Sequence, residues 1–453
     1  MEHIIIIGGV AAGTKAAAKA RRENPSIKMT LFTNEEHMSY SACGLPFFIG
    51  GEFQDYHQLV EYTKENFEHD MNVKVYTLHE CVAINPKQNS VSIKNLQTNE
   101  TKEHTYTKLL IATGARPFIP EIEGKELQNV FKIRNLNDAF AIIETMKKSK
   151  KALIIGGGYI GIEMLEAFLR QGLDAQIIEK TPHIMPTLDT DVADHLKDMM
   201  LKEYPNCVIT SDNITKFIGE NGVLKKAELQ SGMVIDTDIA LLSVGVRPNS
   251  EIAKEAGIEL GVANSIKVNK HMQTNIPNIY AAGDCAEKTN IVSNQPVWVP
   301  LGSTANKEGR VAGVNLAGKD AEFEGILGSA ITKFFDIKIA TTGLIEKTAK
   351  ELGYDVASVV IHSNDKAGYM HDAQPICIKV IADKKTKRLL GAQGIGYGDI
   401  DKRINIIASS LSSKMTVKEY INIDITYAPP FSKAIDITTT AAYQLDKILE
   451  NQT

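Results

Sequence analysis

The sequence predicts an α/β protein with two doubly wound parallel sheets and a third, α+β domain at the C-terminal end. Three observations carry this. Near the N-terminus an apolar run, a glycine-rich turn and a helical run follow one another. The same order recurs from Ala152. Past Gly325 no glycine-rich turn of this kind returns, and strand-like runs alternate with helical ones. The 453 residues exceed one ordinary core and suit two or three domains.

The first element is Ile4-Ile5-Ile6-Ile7, an unbroken apolar run of the kind that a strand covered on both faces requires. The turn Gly8-Gly9-Val10-Ala11-Ala12-Gly13 follows, then an alanine-rich helical run to Arg22, then a second apolar strand over residues 29–32. This is a βαβ unit. The second copy runs Ala152-Leu153-Ile154-Ile155, Gly156-Gly157-Gly158-Tyr159-Ile160-Gly161, a helix from Glu163 to Arg170 and a strand over residues 175–178. Beyond Gly325, strands are expected over residues 337–342, 356–361 and 376–381, and a helix over 404–411.

A glycine-rich turn of this form lets the backbone approach a pyrophosphate, which the following helix N-terminus attracts. Two such turns imply two nucleotide sites. In the second, Gly156, Gly158 and Gly161 complete G-x-G-x-x-G, with Tyr159 and Ile160 inside the turn. Glu179 closes the next strand. Its carboxylate can accept from a ribose 2′-OH and would repel a 2′-phosphate, which favours NADH over NADPH. Lys180 beside it weakens that preference and leaves NADPH open. In the first turn Val10 stands at the middle glycine position, between Gly8 and Gly13, with Ala11 and Ala12 next to it. The acid is absent there, so Asn34 or Glu35 is expected to hold the ribose.

The formal net charge of -5 gives no reason to expect nucleic acid or an anionic membrane as a partner. No apolar run approaches the ~20 residues of a membrane span. The N-terminal isoleucine run is too short for a signal peptide, so a cytoplasmic protein is expected. Five scattered cysteines, with no C-x-x-C pair, argue against a disulfide framework and against a metal site.

Two further segments sharpen the reading. Leu109-Leu110-Ile111-Ala112-Thr113-Gly114 and Ile279-Tyr280-Ala281-Ala282-Gly283-Asp284 are strands ending in small-residue turns. With the two glycine turns, they resemble the FAD-dependent pyridine nucleotide–disulfide oxidoreductases. The resemblance implies that Asp284, with Gly283, contacts the ribityl chain and phosphate of FAD. It implies a split FAD domain, 1–115 and 248–325, with an NAD(P)H domain, 116–247, inserted, and a dimerisation domain, 326–453. Ser41, Thr113, Gly114, Gly245 and Gly302 join the cofactor contacts on the same ground. The helix after Val299-Pro300-Leu301-Gly302 would turn its N-terminus to the flavin.

The stretch Ser41-Ala42-Cys43-Gly44-Leu45-Pro46-Phe47-Phe48-Ile49-Gly50-Gly51 lies where that family carries its redox sulfur. Dithiol members have a second cysteine five residues on, where this chain has Phe48. The chain thus resembles the single-cysteine branch: coenzyme A disulfide reductases, persulfide or polysulfide reductases, and NADH oxidases and peroxidases. Cys43 is the expected nucleophile. A thiolate is the reactive form, and positive potential favours it.

The acceptor stays open among a CoA-type mixed disulfide, a persulfide and a sulfenic acid made by oxygen or peroxide. Val10 stands where oxidase and peroxidase members carry histidine, which points away from peroxide chemistry. Tyr427, in Tyr427-Ala428-Pro429-Pro430, matches a tyrosine by which coenzyme A disulfide reductases complete the neighbouring subunit's site, and Tyr369 matches a second one less closely. Both imply a homodimer. Lys15, Lys19 and Arg22 share a face of the first helix and suit the phosphates of coenzyme A, whether substrate or bound thiol. Ala42 and Met71 depart from the coenzyme A reductase pattern. An NADH oxidase, or a reductase for a small redox protein, is the alternative.

Overall fold

A computed structural model describes residues 2–451. The first sheet is parallel and five-stranded, in the order Ile279–Ala281, Lys108–Ile111, His3–Ile7, Lys28–Phe32, Lys74–Tyr76. The isoleucine run forms its centre because both faces are covered. Ile4 and Ile6 pack under the alanines of the Ala12–Glu23 helix. Ile5 and Ile7 enter a second core with Phe32 and Ile111. The strand that closes one edge comes from residues 279–281, far along the chain.

The second sheet repeats the plan, in the order Val208–Thr210, Asp174–Glu179, Lys151–Ile155, Ile239–Leu242, Val130–Phe131, all parallel. Its helix starts at Tyr159, not Glu163, and runs to Arg170. The glycine turn leads straight into the helix, so its last residues are already helical. Each sheet is joined by a three-stranded antiparallel sheet, over 79–105 and 214–236, that the periodicity does not single out.

The connections between the two sheets run side by side as an antiparallel ribbon, Ala115–Pro117 against Val246–Pro248. Thr113 Oγ1 donates to the Asn249 carbonyl at 2.6 Å, and Asn249 Nδ2 donates to the Thr113 carbonyl at 2.8 Å. These bonds fix the angle between the sheets at the crossing.

The C-terminal part is a five-stranded antiparallel sheet, Ala330–Phe334, Ile337–Gly343, Leu389–Gly396, Pro375–Asp383, Val356–Asn364, with helices Ile400–Ser412 and Ile437–Glu450 packed on it. Two polar seams fasten it to the second sheet's domain. In one, Glu163 accepts from Thr332 Oγ1 at 2.8 Å, and Glu166 accepts from the Phe335 N–H at 2.7 Å. In the other, buried Lys379 meets Asp189 at 3.2 Å and Asp191 and Glu346 at 2.9 Å each. Gln393 binds Asp189 through both its amide atoms. Among the described residues, no helix is long and apolar enough to cross a membrane.

Candidate functional site

Both glycine turns take the same shape, and the reason is visible residue by residue. Gly8 and Gly156 have φ of +112° and +104°, a region that side chains disfavour. A Cβ on Gly8 would lie 2.0 Å from the Ala112 carbonyl oxygen, and one on Gly156 would lie 2.6 Å from that of Ser243. Gly13 and Gly161 do a different job. A Cβ on either would lie 2.0 Å from the carbonyl oxygen of Gly8 or Gly156, so these two let the helix sit tight against the turn. They face into the protein rather than into the cleft. Gly158 has no protein atom within 4 Å of a would-be Cβ, nor has Gly245. That open space is where a pyrophosphate needs to come close.

The two turns open on one continuous cleft of about 2010 Å³. A single small ligand occupies ~300–1,000 Å³, so the cleft has room for two nucleotides and more. Gly8, Val10, Ala11 and Ala12 line it from the first turn, and Gly156, Gly158, Tyr159 and Ile160 from the second. Thr113, Gly114 and Gly245 line it at the domain crossing, and Gly283, Asp284 and Gly302 behind Cys43. Asn34, Ser41, Glu179, Lys15 and Arg22 also reach it.

At the first ribose position the two candidates separate. Glu35 is engaged by the Tyr40 hydroxyl at 2.6 Å, while Asn34 is exposed to the cleft. In the second turn Glu179 is already oriented. Its carboxylate accepts from the Gly157 N–H, the Thr181 N–H and the Thr181 hydroxyl, each at 2.8 Å. The loop after the strand thus holds the acid at the turn. Lys180 stands exposed beside it.

Cys43 sits in a tight turn, Ala42–Gly44, that leads into the Leu45–Ile49 helix. Leu45 and Ile49 are buried and anchor that helix. The Ser41 N–H donates to the Leu59 carbonyl at 2.8 Å, and Gly44 is pressed against the Leu59 side chain. The thiol is therefore held by core packing. A Cβ on Gly302 would lie 3.7 Å from Cys43 Sγ, so the start of the Gly302–Leu316 helix faces the sulfur. That helix reaches the sulfur because its small residues cross the Ala12–Glu23 helix closely. Cβ atoms on Gly309 and Gly313 would lie 2.4 and 2.5 Å from the carbonyl oxygens of Ala12 and Ala16.

Cys43 is the exposed cysteine; the other four are buried. Burial pushes Cys81 and Cys377 up to about 12 and Cys207 up to about 11, so they are inert at neutral pH. The Cys43 thiol is also pushed up, first by the surrounding protein, then by the Glu163 and Asp284 carboxylates, while Arg134 opposes them. The chain by itself thus does not supply the net positive potential that would favour the thiolate. Glu163 and Arg134 escaped the sequence reading. Glu163 stands two residues past the second glycine turn, an acid in an apolar helix start, which is a usable signal. Arg134 lies in a loop and has none.

Besides Gly13 and Gly161, three expected contacts are not in the cleft. Lys19 is turned away into an ion pair with Glu23, which also takes Lys319 at 2.6 Å. Only Lys15 and Arg22 of that basic face remain. Tyr369 and Tyr427 belong to the C-terminal domain's surface, 77% and 51% exposed, with exposed Phe431 and Ile435 in the same part of the chain. Within one chain neither tyrosine lines the cleft.

The cleft accepts a dinucleotide on its own evidence. Asp284 Oδ1 is buried and has no hydrogen-bond partner among the described residues, as a carboxylate waiting for a ligand hydroxyl would be. Among the described residues, no group of three or more His, Cys, Asp or Glu side chains is placed to hold a metal ion.

Comparison with known proteins agrees. Residues 2–309 match the pyridine nucleotide-disulphide oxidoreductase family, and residues 329–438 match its dimerisation domain. The chain is 34% identical over 451 residues to a protein of Methanocaldococcus jannaschii named NADH oxidase, covering 99% of both. It is 33% identical over 450 residues to the coenzyme A disulfide reductase of Staphylococcus haemolyticus, covering 98% of this chain and 99% of that one. It superposes with a TM-score of 0.96 on the solved NAD-dependent persulfide reductase from A. fulgidus, at 34% identity, covering 99% of this chain and 84% of that one. With matches across both its sheets and its C-terminal part, the chain belongs to the pyridine nucleotide-disulphide oxidoreductase family.

Proposed function

We propose that this protein is a flavoprotein reductase that uses NADH to reduce a coenzyme A disulfide, or a coenzyme A persulfide or polysulfide, through Cys43. The observation that carries the reading is one accessible thiol at the wall shared by two glycine turns, with no second cysteine exposed beside it. Residues 1–115 and 248–325 would hold FAD through Gly8 to Ala12, Asn34, Gly283, Asp284 and the start of the Gly302–Leu316 helix. Residues 116–247 would hold NADH through Gly156, Gly158 and Glu179, with NADPH less favoured. Once bound, these cofactors supply two electrons to sulfur.

The chain's own residues do the rest. The Cys43 thiolate attacks one sulfur of the acceptor, a new S–S bond forms, and the first thiolate leaves. A proton is needed on that leaving sulfur. Tyr427 from a second copy would donate it, with Tyr369 of that copy as the second candidate. Two electrons then cleave the mixed disulfide, the second thiol departs with a proton, and the Cys43 thiolate is restored. For a disulfide the sum is NADH + H⁺ + RSSR → NAD⁺ + 2 RSH. For a persulfide it is NADH + H⁺ + RSSH → NAD⁺ + RSH + H₂S.

Arg134 is the positive group that stands against Glu163 and Asp284 at the thiol. Lys15 and Arg22, exposed at the cleft, suit the phosphates of coenzyme A. The matched dimerisation domain and the outward-facing tyrosines support a homodimer whose sites are completed across the interface, covering residues 326–453. A cytoplasmic setting fits five unpaired cysteines. The product count tests the reading. Two thiols per NADH from coenzyme A disulfide, or one thiol and one sulfide from the persulfide, support it. NADH use without thiol or sulfide release contradicts it.

The NADH oxidase reading draws on the Methanocaldococcus jannaschii relative. It requires oxygen to be consumed in step with NADH, with a Cys43 sulfenic acid on the way.

A further inference from the structure

Behind the Gly283-Asp284 turn lies a charged pair that the sulfur chemistry does not use. The side chains of Lys288 and Glu308 are fully buried and 3.6 Å apart. Lys288 Nζ donates to the carbonyls of Gly283 and Ala286 at 2.6 and 2.7 Å. The Gly283 N–H donates to Glu308 Oε2 at 2.7 Å. The pair therefore grips one glycine from both sides of its backbone, at a φ of +85°. The next residue is Asp284, whose Oδ1 is buried without a partner among the described residues, as is Glu308 Oε1. Each of these two acids thus keeps one buried, unpartnered carboxylate oxygen, Asp284 at the wall of the cleft and Glu308 behind it.

Burying an ion pair is costly, and apolar residues of equal size would stabilise the fold as well or better. A pair kept at such a place points to a demand other than stability. Resting on the assignment of this turn to FAD, we propose that Lys288 and Glu308 are positioning residues for the flavin: they fix the Gly283-Asp284 turn and balance the charge behind it, so that the Asp284 carboxylate is held free for a hydroxyl of the flavin chain. Burial, with Asp284 nearby, pushes Glu308 up to about 7 in spite of Lys288 and the Gly283 N–H. Loss of the lysine leaves Glu308 buried without its counter-charge, with Asp284 nearby.

The test is a double-mutant cycle on the full-length protein: Lys288→Met, Glu308→Gln and the two together. FAD affinity is read by flavin fluorescence on reconstitution, and the flavin midpoint potential by equilibration with reference dyes. Lys288→Met should weaken FAD binding by about tenfold or more, and adding Glu308→Gln should restore most of it. Glu308→Gln alone keeps an acceptor for the Gly283 N–H, so it should fold. Its uncompensated Lys288 should raise the flavin potential, a shift that a purely structural pair would not cause. The proposal is overturned if Lys288→Met binds FAD within about twofold of wild type, if the double variant is no better than the single one, or if Glu308→Gln leaves the potential unmoved. A wild-type protein that takes up no FAD would instead overturn the functional reading on which this one rests.

Discussion

At the scale of single residues, charges around one sulfur set its reactivity. The pKa of the accessible Cys43 thiol is raised by the protein around it, then by Glu163 and Asp284. Glu163→Gln removes one of the two carboxylates. The thiol should then become more acidic, and iodoacetamide should label it about threefold faster or more at pH 7, where the thiolate fraction sets the rate. Arg134→Met should slow the same labelling. Glycines make a second prediction. Gly158→Ala meets no protein atom, so thermal stability should change by less than ~1 kcal/mol while NADH binding weakens about tenfold or more. Gly161→Ala would place its methyl on the Gly156 carbonyl and should destabilise the protein itself, seen as a lower Tm without ligand. The sequence alone singles out all three glycines of the turn but not this division of labour, which depends on what faces each Cα. It likewise picks out Cys43 but not Glu163 or Arg134. Those two act through space, Glu163 from a helix of the second domain, where an acid in an apolar helix start is its one local mark, and Arg134 from a loop, where nothing marks it.

At the scale of elements, local sequence was informative where a motif dictates a backbone shape. Both strand–turn–helix units, the strands ending at Thr113-Gly114 and Gly283-Asp284, and three of the five C-terminal strands follow from apolar runs and glycine turns. The two antiparallel sheets over 79–105 and 214–236 were not legible, because their strands are half exposed and charged residues break the alternation. The basic face of the first helix was legible as a pattern but only partly as a function. Lys19 is spent on Glu23, a neighbour one turn away that competes for any single lysine. The contact between the first helix and the Gly302–Leu316 helix gives an element-scale prediction. Gly309→Val has no room against Ala12 and must push the second helix outward. Its start would then leave Cys43, and the purified variant should carry markedly less flavin than wild type, read from its visible absorbance per protein.

At the scale of the whole molecule, two polar seams set the C-terminal domain against the second sheet's domain. Lys379 is 4% exposed in its side chain and faces three carboxylates. Lys379→Met should cost about 3 kcal/mol, because it leaves buried Asp189 beside two further carboxylates without their shared counter-charge, and chemical unfolding measures it. The seam also predicts a pH response. Burial opposes the charge on Glu346, but hydrogen bonds from Lys350, Lys379 and Ser358 outweigh it and hold the carboxyl at about 2. A carboxyl held below its unfolded value stabilises the protein above about 4.5, and that contribution fades as pH falls toward about 2. Between pH 6 and pH 3, wild type should therefore lose more Tm than Glu346→Gln. Equal losses would remove Glu346 from the seam. The assembly itself was legible only through the family resemblance. One chain leaves Tyr369 and Tyr427 on the surface, and no reading of strand or helix periodicity would bring them to a cleft that they do not line.

In the proposed function, electrons from NADH leave through the Cys43 sulfur to a coenzyme A disulfide, persulfide or polysulfide rather than to oxygen. Anaerobic NADH oxidation by wild type and Cys43→Ser, with coenzyme A disulfide, coenzyme A persulfide and polysulfide each in turn, tests it most directly. Wild type should turn over with at least one of them, and the variant should lose that turnover with flavin still bound. Turnover that survives in Cys43→Ser, or none until air is admitted, would contradict it.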